Sequence, residues 1–491
     1  MQSFTSKALV ACSLASLMTF SGGCSKKSDR GGFSAATAAP STSSTPGSTT
    51  SSTTGATTST NLPPVATKRT DAMVTSWKLE EVIQVDGKAG TITNRWATGR
   101  GPADVANGLT KTYVANALSQ DVTVIDRLAG VSAGTIDVFG KPVTGLSFLN
   151  FLDPALKPLV RPTGVAVTPD GRKVYSANLL NVSAIDGVTG LPSKSILGLS
   201  PFNLQGLLSN PGQAISSFMA SPISGLGMAK VAATNSTAVV TCMLTGKLMR
   251  IDTSTDRVVD YVNVGRAPIG VAIAGNKAYV ACALAQEVYV VDLATGTVIS
   301  QIKAGMVPVD VTVNQAEDKI YVANAVSGDI SVIDPAVDLV VDTLPAGLSL
   351  ASMISQMGIT LPNGASGQGL TGALSGFLQG FQGGMSNPAS FGALISGGSG
   401  SGGLLSPSNL INGLLTGFLS YLGVNQTALA GQNLPAIGLM SVSVAHDPSL
   451  VLGGNALMGE MTVTEILTKN VSTVSGLTGL GPVDVAGIWR R

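Results

Sequence analysis

The sequence predicts an all-β chain: a seven-bladed β-propeller closed by N- and C-terminal strands in one blade, with α-helical insertions on one face. Three recurring patterns lead there. A proline-led opening repeats along the chain. A tyrosine-led apolar run follows it. An apolar alternation ending in an acid then closes each unit, at a base period of about forty residues.

The opening appears five times, as Gly-Pro102-Ala-Asp-Val-Ala, Arg-Pro162-Thr-Gly-Val-Ala, Ala-Pro268-Ile-Gly-Val-Ala, Val-Pro308-Val-Asp-Val-Thr and Gly-Pro482-Val-Asp-Val-Ala. The middle signature is Tyr113-Val-Ala-Asn116, Tyr175-Ser-Ala-Asn178, Tyr279-Val-Ala-Cys282 and Tyr321-Val-Ala-Asn324. The acids are Asp86, Asp126, Asp186, Asp252, Asp292, Asp334 and, more weakly, Glu465. Proline and acid are 24 residues apart in three units (102 to 126, 162 to 186, 268 to 292) and 26 in one (308 to 334), so one architecture is being reused. Each unit holds short runs of period two separated by turn signals such as Asp170-Gly171, which is the pattern of four short strands.

Seven acids count seven blades. The chain stops nine residues after Pro482, enough for one innermost strand. Met73–Trp77, Glu81–Asp86 and the run from Gly90 supply three strands at the other end, so one blade is expected to be shared between the termini. Trp77, Trp96 and Trp489 all fall in it. Val239-Val-Thr-Cys242 stands in for the tyrosine signature in blade three, and Met461–Glu465 is all that marks blade six; both are placed by counting.

The Tyr-Val-Ala-Asn and Val-Ile-Asp signatures resemble the YVTN-family β-propeller repeat of exported bacterial and archaeal surface proteins. The resemblance covers residues 80–345 well and 441–491 weakly. It implies a propeller, assigned here to residues 71–491. Some related propellers are lactonases or quinone- or haem-dependent oxidoreductases.

The N-terminus reads as an address. Lys7 precedes an apolar run, Ala8–Phe20, too short for a stable bilayer span, and Ser21-Gly22-Gly23 leads to Cys24. Residues 1–23 resemble a bacterial lipoprotein signal peptide, with Cys24 as the lipidated first residue; plain cleavage after Gly23 is the alternative. Two or more acyl chains suffice for stable anchoring. Ser25 resembles the outer-membrane sorting preference, so the expected location is the outer membrane or cell surface. Residues 24–70 form an expected tether. Its stretch 33–62 is nearly all Ser, Thr, Ala, Pro and Gly and cannot offset its ordering entropy.

Three insertions separate one blade's outermost strand from the next innermost strand, at about 141–160, 196–226 and 346–437. Repeat symmetry puts all three on one face. From Thr343 to His446 there is no Asp, Glu, Lys or Arg, yet Gly, Ser, Asn and Pro interrupt the run too often for a membrane span. Within 343–440, Phe377 and Phe381 belong to one helix-spaced series, and Ile411, Leu414, Leu415, Phe418 and Leu422 to another. These helices either pack shut on the disc or dock a partner; a protein of the envelope or surface fits better than lipid, since no charge draws them to anionic headgroups.

Little chemistry is written in the chain. Net charge is +1, so no basic excess exists to hold nucleic acid. His446 is the sole histidine, and no CxxC or CxxCH occurs, which removes support for a histidine-built metal centre, a dithiol motif or covalent haem. No cofactor or metal is expected. The repeated acids suit turns, where Asp bonds nearby amides, better than calcium. Cys242 and Cys282 share a repeat position in adjacent blades, about 10 Å apart by strand spacing, too far to bridge. Two functions remain open. One is a surface-anchored interaction or scaffold module with no catalytic residue. The other is a small-ligand-binding or hydrolytic propeller with its site in the central tunnel, where Asp104, Asp310 and Asp484 each follow the opening proline by two. Gly164 and Gly270 leave that ring of acids incomplete.

Overall fold

A computed structural model describes residues 71–138, 161–198, 224–346 and 439–488, apart from 78, 180, 226, 446, 456–459, 475–476 and 478–483. Cys24, the tether, His446, Trp489 and the expected helices with Phe377, Phe381, Ile411, Leu414, Leu415, Phe418 and Leu422 lie outside the described residues.

The described residues form a seven-bladed β-propeller of seven four-stranded antiparallel sheets, with no helix among them. The innermost strands of blades 1 to 6 are Pro102–Asn107, Pro162–Val167, Met228–Ala233, Pro268–Ala274, Pro308–Val313 and Leu439–Val444. In the seventh sheet Val485–Gly487 pairs antiparallel with Asp71–Ser76, which pairs with Glu81–Asp86, which pairs with Thr91–Ala97. Trp96, in the outermost of these strands, donates from Nε1 to the Gly130 carbonyl of blade 1 at 3.0 Å.

Strand burial explains the apolar patterns. The second strand of blade 4, Lys277–Cys282, is buried at every position after its lysine because blades cover it on both faces. Such a strand reads as a continuous apolar run. The outermost strand of the same blade, Thr297–Lys303, alternates because one face meets solvent. The core therefore lies in wedges between blades. One wedge packs Tyr175, Ala177, Val182 and Ala184 of blade 2 against Val240, Cys242, Met249 and Ile251 of blade 3.

The signature residues hold this packing together. Tyr175 donates to Asp256 Oδ1 of blade 3 at 2.6 Å, and Lys173 Nζ meets the same carboxylate at 2.8 Å. Tyr279 and Lys277 repeat the arrangement on Asp338 of blade 5, at 2.7 and 2.8 Å. Burial first, then the neighbouring carboxylate, pushes both tyrosine hydroxyls far up, so they remain donors. The asparagine of the signature ties its own turn: Asn116 Nδ2 donates to Asp121 and Thr123, and Asn324 Nδ2 to Asp329 and Ser331. The repeated acids cap turns. Asp126 Oδ1 accepts the amides of Leu128 and Ala129, and Asp292 Oδ1 those of Ala294 and Thr295.

Cys242 and Cys282 are both buried and unbridged. Burial pushes the Cys242 thiol up to about 12 and raises that of Cys282 as well. The thiolate is the reactive species, so both should be inert in the folded protein. Iodoacetamide at pH 8 is expected to leave both peptides unmodified until guanidinium unfolds the chain. Native labelling, read by peptide mass spectrometry, would show that this wedge opens.

Candidate functional site

The innermost strands of blades 1 to 6 open with a proline in four cases, which has no N–H to place in a ladder, and each then slips register. The slips fall between Pro102 and Asp104, Pro162 and Gly164, Met228 and Val231, Pro268 and Val271, Pro308 and Asp310, and Leu439 and Ser441. A bulge re-aims the side chain it carries. The result is one residue per blade at one level of the central tunnel: Asp104, Gly164, Lys230, Gly270, Asp310, Ser441 and, just before its strand, Asp484. The next residue is valine in all seven blades (Val105, Val165, Val231, Val271, Val311, Val442, Val485), each buried.

The three acids converge on a lysine. Lys230 Nζ lies 2.7 Å from Asp104 Oδ1, 3.0 Å from Asp484 Oδ1 and 3.6 Å from Asp310 Oδ1. Each acid also holds the valine amide of the next blade: Asp104 Oδ2 accepts Val165 N at 2.6 Å, Asp310 Oδ2 accepts Val442 N at 3.0 Å, and Asp484 Oδ2 accepts Val105 N at 3.0 Å. Ser441 Oγ lies within hydrogen-bonding distance of Asp310 and Asp484, at 3.0 and 2.7 Å. The cluster faces a cavity of about 210 Å³ to which all seven innermost strands contribute.

Three carboxylates against one ammonium leave an excess of negative charge in a buried place. Burial, the largest influence, and the nearby Asp484 hold the Asp104 carboxyl well above its usual range despite Lys230. Burial raises Asp310 too. Asp484 is buried as deeply, but Lys230 and hydrogen bonds from Asp104 and Ser441 together bring it below the usual range. Burial opposes the charge on Lys230, and the three carboxylates outweigh it, so it stays an ammonium. Burial, set against the neighbouring groups, thus disfavours the charged form of Asp104 more than that of Asp484.

The gaps in the ring have a steric cause. A Cβ on Gly164 would stand 2.6 Å from the Ala229 carbonyl oxygen and 2.9 Å from Lys230 Cα; one on Gly270 would stand 2.5 Å from Asp310 Cα. Neighbouring innermost strands touch there, and only glycine fits.

Sequence reasoning found Asp104, Asp310 and Asp484 but missed Lys230 and Ser441. Blades 3 and 6 lack the opening proline, which was the ruler. The valine after each position, Val231 and Val442, was the signal that could have placed them. Among the described residues no group of three or more His, Cys, Asp or Glu side chains is placed to hold a metal ion. Chemically, the cluster offers no carboxylate without an internal partner with which to activate water.

No family model and no curated protein matches the chain. Solved structures do. A functionally unknown protein from Desulfotomaculum acetoxidans DSM 771 aligns at TM-score 0.52 and 11% identity, covering 85% of this chain and 99% of its own. Hydrazine synthase of Kuenenia stuttgartiensis aligns at TM-score 0.41 and 14% identity, covering 81% and 90%. At 11% identity the likeness to the first is one of fold.

Proposed function

We propose that the chain is an exported, lipid-anchored β-propeller of the YVTN-repeat kind, tethered through Cys24 to the outer membrane or cell surface, that works as a protein-interaction module of the envelope. The observation that carries recognition is a set of exposed apolar residues at the turns before the outermost strands. Leu128 is 81% exposed, Val188 74%, Val337 59% and Leu467 87%, with Val131, Leu191, Leu339 and Val471 exposed a few residues on. Single exposed apolar residues need no explanation, but recurrence in the same turn in four of seven blades puts them on one face. Strand direction makes it the face opposite the attachment points of the insertions. The tunnel acids, each engaged by Lys230 and by a neighbouring amide, speak against catalysis.

The ring is closed by interlocked termini in this reading, supported by the pairing of Val485–Gly487 with Asp71–Ser76. The uncharged helices expected in 343–440 form a second candidate face. The partner is a protein; the membrane is met only through the lipid, and nucleic acid is not involved.

A second reading, a small ligand or hydrolysis in the tunnel, draws on the convergence of Asp104, Asp310 and Asp484. In-cell photo-crosslinking from positions 128 and 418 separates the two. A discrete protein adduct from either position supports the interaction module and names its partner. Adducts from neither, with a metabolite-dependent melting shift lost in Lys230→Met, would transfer the function to the tunnel.

A further inference from the structure

The residues at the tunnel level are not arranged as neighbours. Lys230 belongs to blade 3. Blades 2 and 4, beside it, present Gly164 and Gly270. Its partners stand further round: Asp104 in blade 1, Asp310 in blade 5 and Asp484 beside the C-terminal strand of blade 7, at 2.7, 3.6 and 3.0 Å. The ammonium therefore reaches across the axis, donating hydrogen bonds to Asp104 and Asp484 and pairing by charge with Asp310 on a third blade.

Asp484 is also where the chain's end is fixed. Its amide donates to Thr75 Oγ1 at 3.0 Å, and its carbonyl accepts Thr75 N at 2.9 Å, which joins it to the N-terminal strand. Its carboxylate holds Val105 N of blade 1 and accepts from Ser441 of blade 6. The pairing of Val485–Gly487 with Asp71–Ser76 is only three residues long. So short a strand carries little ladder energy of its own.

We propose that Lys230 is a bolt across the central tunnel, an ionic latch that holds the C-terminal strand in the ring from the opposite wall. The proposal stands apart from any partner or ligand. It makes the last strand the part of the disc that responds to charge at the axis. Among the described residues the charged groups at this level are Asp104, Lys230, Asp310 and, just before the seventh strand, Asp484. The other three strands contribute Gly164, Gly270 and Ser441.

Burial and the mutual repulsion of the acids give the latch a pH dependence. Asp104 and Asp310 are raised in the folded state, so their contribution is fully present below the ordinary carboxylate range and is lost as pH rises through their folded values. Asp484 is lowered, so its contribution is present above that range and is lost as pH falls through its folded value. The latch is strongest in mildly acid solution. Without the ammonium all three acids are pushed up, and acid alone relieves them.

The test is hydrogen exchange on the full lipidated protein, comparing protection factors of residues 484–488 with those of blade 4, corrected for intrinsic exchange at each pH. Lys230→Met is expected to lower protection of 484–488 about 100-fold at neutral pH, because an uncompensated buried charge is costly. Blade 4 should change much less, and mild acid should restore the strand. Adding Asp484→Asn to Lys230→Met, which keeps the amide acceptor and removes one charge, should restore part of the loss. Unchanged protection in Lys230→Met, or equal loss in every blade, overturns the latch. Should Lys230→Met fail to fold, the wild-type profile decides. Protection of 484–488 relative to blade 4 must peak in mild acid, and a flat ratio overturns the proposal.

Discussion

Deleting residues 482–491 is expected to abolish the cooperative melt of the disc. The deletion removes the three ladder pairs with Ala72, Met73 and Val74. It removes the buried side chains of Val485 and Ile488, worth about 1.5–3 kcal/mol each. It also cuts hydrogen bonds to three other segments: Thr75, Val105 of blade 1, and Ser443 of blade 6, which accepts Gly487 N at 2.8 Å. Asn107 of blade 1 loses its acceptors on Ala486 and Gly487. Together these approach the whole stability of an ordinary fold, about 5–15 kcal/mol. The freed edge of Asp71–Ser76 would invite pairing between chains. Calorimetry should show a lost or sharply lowered transition with soluble oligomers. An unchanged melting temperature would mean that the termini do not close the ring.

Gly270→Val is expected to be severely damaging at the tunnel. The added Cβ would meet backbone only: Asp310 Cα at 2.5 Å, the Val309 carbonyl oxygen at 2.8 Å and Asp310 C at 2.9 Å. No rotamer change can relieve that, so blades 4 and 5 must separate at the axis. Overpacking costs about 1–3 kcal/mol where side chains can yield, and more is expected where they cannot. Gly270→Ala should fall at the upper end of that range. The control is Gly130→Ala, which has open space around its Cβ and φ of +69°, so it carries only the left-handed backbone cost of about 1–2 kcal/mol. Denaturant melts of the three variants order them. If Gly130→Ala is the worst, the close approach of the blades is not what glycine serves at 270.

The blade pattern was legible because it is local. Tyr175, Asn116 and Asp126 act within a turn or on the next blade, at spacings set by strand length, so their roles recur wherever the spacing recurs. Where a blade has lost its markers the ruler fails: Met228 and Leu439 replace proline, and the tunnel residues behind them, Lys230 and Ser441, went unseen. The acids were found from spacing, but not what they hold. Asp104 and Lys230 are 126 residues apart, and Asp484 lies 254 beyond Lys230. No periodicity in one strand reveals a contact made across an axis.

The chain by itself determined its repeat and its count of blades, because side-chain alternation and turn composition are properties of a few consecutive residues. Only the tertiary structure decided which of those residues meet. The propeller brings seven innermost strands to one axis. There burial raises the stakes of every charge, and a lysine from one wall becomes the partner of acids on the others.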